Sequence, residues 1–138
     1  MSHLTTVKTK IKNLDILIIC VQKLIKAGVF VAGKNILEGA RLSEQAQIKD
    51  FYGQTKIADL VIERKRGYDL GFVDLGVEEK EFEFISDNDA WGKTEFLAAL
   101  LPLYAKESTI ATLLRQGFDI KSITEENSEI RIIAGKWA

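Results

Sequence analysis

At 138 residues the chain is long enough for one continuous core and does not require a second domain, so a single domain spanning 1–138 is expected. Charged residues make up 28% and apolar residues 46%, a balance that excludes a disordered polymer. Lys and Arg total 19 against 20 Asp and Glu, and the resulting net charge of -1 offers no field for holding a nucleic-acid backbone, so nucleic acid is not expected as a partner.

Leu4 to Ile11 alternates loosely and predicts a first strand with one solvated face. Asn13 as N-cap, Asp15 in the first turn and Gly28 just past the end predict a helix over Leu14 to Ala27. Its core stripe is Leu14, Leu17, Ile18, Val21, Leu24 and Ile25, while Ile16, Ile19 and Cys20 carry apolar character around the circumference. Such a helix is covered on two sides or meets a partner. The β-branched run from Ile16 to Val21 also reads as a buried strand, but the caps favour helix. Val29 to Val31 predicts a short strand ended by Gly33, and Lys34 to Lys49 a loop with a short helical or extended piece.

Gly53 to Phe72 predicts the hairpin around which the sheet is organised. Ala58, Leu60 and Ile62 form its buried face, with Ile57, Asp59, Val61 and Glu63 opposite. Glu63 to Gly67 makes the turn, and Tyr68, Leu70 and Phe72 continue the period of two. A further antiparallel strand over Glu81 to Ile85 is stopped by Asp87-Asn88-Asp89. A helix beginning near Thr94 turns Phe96, Leu97, Leu100 and Leu101 inward, is kinked or restarted by Pro102, and runs on to Gln116. Phe118 to Ile123 and Ile130 to Ile133 predict a last hairpin. The class is therefore α+β, a mainly antiparallel sheet with two helical segments packed on one face. The apolar run Leu14 to Ile25 is too short to cross a bilayer and the N-terminus lacks signal-peptide character, so a soluble chain without membrane insertion is expected. A single cysteine fits a reducing compartment.

Several strings together carry a resemblance: MSHLTTVKTKIKNLDIL at the start, YGQTKIADLVI and YDLGF in the middle, and QGFDI with IRIIAGKW at the end. The chain resembles the hypothetical chloroplast reading-frame family, the thirty-fifth of its series, a family of unknown function. That resemblance implies the chloroplast stroma or the cyanobacterial cytoplasm. It also implies dependence on a protein partner, with an ATPase and a small ferredoxin as candidates. Ile18-Ile19-Cys20 and the length of Ala32 to Gln47 depart from the family pattern.

Chemistry-bearing residues are sparse. His3 is the one histidine, and neither general-base nor metal chemistry is complete without further groups. Gly92-Lys93-Thr94 ends like a phosphate-binding loop, but Asp87 stands where that motif needs glycine, so it reads as a helix N-terminus. Asp59 and Asp69 in the hairpin can share a proton or bind a cation if opposed, and otherwise decorate a solvated face. With Gln54 and Trp91, these residues and His3 are the candidate ligand site. Ile16, Ile19 and the positive turn Arg64-Lys65-Arg66 are the candidate partner interface. No catalytic residue, metal or cofactor is assigned. The expected role is a non-enzymatic accessory or protein-binding module. The alternative is a small enzyme or ligand-binding protein using the candidate site, and self-association is a third reading.

Overall fold

A computed structural model describes residues 3–74, 81–127 and 129–136. The chain runs β1 (Leu4–Lys8), α1 (Leu14–Ala27), β2 (Phe30–Val31), β3 (Lys34–Asn35), β4 (Arg41–Lys49), β5 (Thr55–Glu63), β6 (Leu70–Asp74), β7 (Phe82–Asp87), α2 (Lys93–Arg115), β8 (Phe118–Glu126) and β9 (Glu129–Lys136). The main sheet has five antiparallel strands in the order β1-β7-β6-β5-β4, so the β5–β6 hairpin lies in its interior as expected. The fold is α+β.

The first helix has the limits its caps predict. The Asn13 side chain accepts a hydrogen bond from the Ile16 amide, and Gly28, at φ 85°, donates to the Leu24 carbonyl. Its buried stripe is Leu17, Cys20, Val21 and Leu24, so Cys20 faces the core, whereas Leu14, Ile16, Ile18 and Ile25 are half-buried beside it. β1 ends at Lys8, short of Ile11, because the Thr9 hydroxyl takes over the pairing, donating to the Phe82 carbonyl and accepting from the Ile11 amide.

Lys34 to Lys49 holds more strand than its composition predicts. Ala32 and Gly33 both take positive φ, the two-residue turn that suits a hairpin, and link β2 to β3. β4 is then a nine-residue edge strand. Its one fully buried residue is Ile48, and an edge strand with so few buried positions shows little alternation.

One face of the sheet carries Leu60, Ile62, Leu70, Phe72, Phe82 and Phe84, and both helices pack on it. Phe72, Phe84 and Phe96 form its centre, with ring centroids 5.4 to 6.4 Å apart. Aromatic pairs of this kind add about 0.5–1.5 kcal/mol each beyond their burial. The other face is buried too, which corrects the expected polar face of β5. Val61, Val73 and Ile85 pack there with Ile48 and Ala58. The cover comes from the far end of the β4–β5 ribbon. Ile48 reaches over Gly71, where a Cβ would lie 3.2 Å from both Ile48 and Ile85, and the Phe51 amide donates to the Asp87 carboxylate at the end of β7. Ala58 belongs to this second cluster rather than to the Leu60 and Ile62 face, so the period of two breaks at Asp59.

α2 is a single helix through Pro102, without the predicted restart. It buries Phe96, Leu100 and Tyr104 and is tied to α1 by the Lys23–Glu107 ion pair at 2.6 Å, while Leu101, expected inside, is 40% exposed. Among the described residues it is the one helix long and apolar enough to cross a membrane by length and composition.

The buried Cys20 thiol is pushed from its ordinary 9.0 up to about 11, first by burial and then by Glu107, with Lys23 opposing. The folded chain holds this proton more tightly than the unfolded chain. Its contribution to stability is therefore complete below pH 9 and is lost as pH rises towards 11. Denaturant unfolding of the wild type and Cys20→Ala across that range should show the wild type losing its relative advantage at the alkaline end. The native thiol should alkylate slowly at mildly alkaline pH; prompt labelling without denaturant would contradict the burial.

Candidate interaction surface

The β5–β6 turn is not the uniformly solvated positive tip its sequence suggests. Arg64 is buried, with 9% exposure, whereas Lys65 and Arg66 point to solvent. The Arg64 guanidinium donates from Nε to the Tyr68 carbonyl at 2.8 Å, and from Nη1 to Trp91 at 2.6 Å and Ile36 at 3.5 Å. Its Nη2 is buried against Gly67, without a hydrogen-bond partner among the described residues. Gly67, at φ 79°, is needed twice over, since a Cβ there would sit 2.8 Å from that nitrogen. Burial brings the Arg64 pKa down to about 10, while Asp69 opposes the shift, so the side chain is a cation at neutral pH.

The sequence-derived ligand residues fall into three separate places. His3 and Gln54 share one end of the sheet. The His3 main chain exchanges hydrogen bonds with Asn88, its ring lies 5.4 Å from Tyr52, and the Gln54 amide donates to Asp50. Asp59 sits where β5 and β6 part. Its carboxylate accepts from the Asp74 amide at 2.6 Å and from the Gln45 side chain at 2.9 Å, replacing main-chain pairing. Asp69 is at the opposite end of the ladder, accepting from the Arg64 amide at 3.0 Å, so the two aspartates are not opposed. Trp91 is half-buried against the main core, with its carbonyl on Arg64. Among the described residues no three His, Cys, Asp or Glu side chains are grouped to hold a metal ion.

The two most buried carboxylates among the described residues, Asp50 and Asp87, are not among the sequence-derived candidates. Asp50, 4% exposed, builds the β4–β5 turn by accepting from the Tyr52 and Gln54 amides. Asp87, fully buried, accepts from Phe51 and Asp89. The signal for Asp50 was its place two and four residues before the amides it caps, the spacing of an Asx turn.

An open surface lies at the C-terminal side. β8 and β9 form a two-stranded sheet of their own, and neither contains a buried residue. Ile130 and Ile132 face Pro102, Ala105 and Thr109 of α2 across a groove of about 420 Å³. On the same elements Leu114, Ile123 and Ile133 are 41 to 51% exposed. By comparison Ile19, on α1, is 47% exposed, while Ile16 is partly packed into the core.

A family model described as a protein of unknown function, DUF1257, matches residues 37–133. The chain belongs to this family. It is similar to the uncharacterized protein ycf35 of Cyanophora paradoxa and to that of Guillardia theta, each 28% identical over 142 residues that cover 99% of this chain and 98% of the relative. The resemblance to the hypothetical chloroplast reading-frame family therefore holds. The relatives are plastid-encoded, consistent with a chloroplast location. No solved structure matches the chain. The DUF1257 match starts beyond α1 and takes in β4 to β7, α2 and nearly all of the β8–β9 hairpin, so Arg64 with its Tyr68 and Trp91 partners and the open groove lie within the family region.

Replacing Arg64 by Met keeps much of the packed stem but leaves the buried carbonyl of Ile36 and the part-buried carbonyls of Tyr68 and Trp91 without their donor. The expected loss is about 3 kcal/mol of unfolding free energy, measured by urea titration, with Lys65→Met nearly neutral because that side chain is exposed. Equal effects at the two positions would contradict the clamp.

Proposed function

We propose that this DUF1257 protein is a non-catalytic accessory module of the plastid stroma or cyanobacterial cytoplasm that works by binding another protein through α2 and the β8–β9 hairpin. The observation that carries the reading is the hairpin itself. A two-stranded hairpin is marginally stable alone in water, and this one rests on α2 with its inward residues only half-buried and none fully buried. A partner that fills the groove between Pro102, Ala105 and Ile132 supplies the missing cover. The exposed apolar side chains Leu114 of α2 and Ile123 of β8 are the kind of anchor such an interface uses. The dispersal of His3, Gln54, Asp59, Asp69 and Trp91 supports binding over a shared ligand site.

Affinity purification of the tagged chain from its native host tests this. A stoichiometric partner should accompany the wild type and Ile19→Glu, and should be lost from the Leu114→Glu, Ile123→Glu double variant although its circular dichroism and melting remain native. Recovery of the chain alone, of a second copy of itself, or of a partner lost only on Ile19→Glu would each overturn the reading.

A further inference from the structure

β1 is one edge of the main sheet. The Asn88 amide donates to the His3 carbonyl, and in an antiparallel ladder this sets the alternation of every later residue. His3, Thr5 and Val7 turn their main-chain groups towards β7, so those of Leu4, Thr6 and Lys8 point away from the sheet. This outward edge leads into a second groove, of about 480 Å³, between the segment after β1 and the other flank of α2. Its apolar part is Ile11, Leu101, Tyr104 and Ala105, its rim carries Lys8 and Lys10, and among the described residues no carboxylate lines it. Both lysines are exposed, and Leu101 is the half-exposed residue that the core leaves unused. The Tyr104 hydroxyl accepts from the amides of Lys12 and Asn13, which fixes the groove wall where the chain enters α1.

We propose that this edge binds an extended acidic segment of another protein by strand addition. The segment's backbone pairs with the outward groups of Thr6 and Lys8, an apolar side chain enters the groove over Leu101 and Tyr104, and its carboxylates meet Lys8 and Lys10. Charge selects the occupant. A second copy of β1 would set lysine against lysine, whereas an acidic strand is attracted. The proposal rests on the reading of the exposed α2 as a protein-binding element, and names what its β1 flank takes.

The test is selection from a randomised library of short peptides displayed against the full chain. Enriched sequences should alternate apolar residues with Asp or Glu and bind more weakly as salt rises. Affinity should fall about tenfold or more for the Lys8→Glu, Lys10→Glu double variant. It should also fall for Thr6→Pro, which removes one outward amide and spares the β1–β7 ladder, and should be unchanged for Ile19→Glu on the exposed side of α1. Thermal melting confirms that each variant folds. Enrichment of peptides without acidic residues, or affinity indifferent to both β1 variants, would overturn the proposal. Absence of enrichment while the host partner is still captured through Ile123 would sink strand addition and leave the accessory reading standing. Absence of both would remove both.

Discussion

The Arg64 guanidinium is the interaction on which the arrangement depends. It lies among the carbonyls of three connections: Ile36 after β3, Tyr68 before β6 and Trp91 before α2. A buried cation is costly unless its hydrogens are used, and here carbonyl dipoles take most of them while Asp69 fixes the main chain at the same point. The result is a junction that sets where α2 begins. Phe96, one turn into that helix, then meets Phe72 and Phe84, and the core on the helical face follows from the placement.

The second face is closed by a different device. Among the described residues no helix covers the sheet there, and its own ribbon bends over it, with Ile48 above Gly71 and the Asp50 turn reaching Asp87. Asp59 marks the point where β5 leaves β6 to make that bend, and its carboxylate takes the amide that the ladder no longer satisfies. Both faces of the central strands are thereby buried within a short chain. The hairpin after α2 receives nothing comparable, and the contrast between a doubly covered sheet and a hairpin with no fully buried residue is the basis of the functional reading.

Much of this was legible in the residues. Asn13 and Gly28 gave both ends of α1, and the β5–β6 hairpin was apparent from Leu60, Ile62, Leu70 and Phe72. β4 was not, because an edge strand with Ile48 as its only fully buried residue has weak periodicity. Arg64 was read as surface charge because a basic triplet in a turn is ordinarily solvated; only the three carbonyls brought near it by separate loops make burial favourable. Asp59 and Asp69 looked like a pair because they share a hairpin, yet one caps its turn and the other closes its frayed end. The family-like strings identified the lineage. The outermost residues of those strings, Met1, Ser2 and Trp137, lie outside the described residues.

Hydrogen exchange followed by mass spectrometry on the isolated chain tests the central claim most directly. The account predicts two tiers: slow exchange in β5, β6, β7 and α1, limited by global unfolding, and exchange through local opening, faster by about tenfold or more, in β8, β9 and the last turns of α2. Uniform slow exchange through β8 and β9 in the isolated chain would contradict it, because the hairpin would then need no partner to hold it.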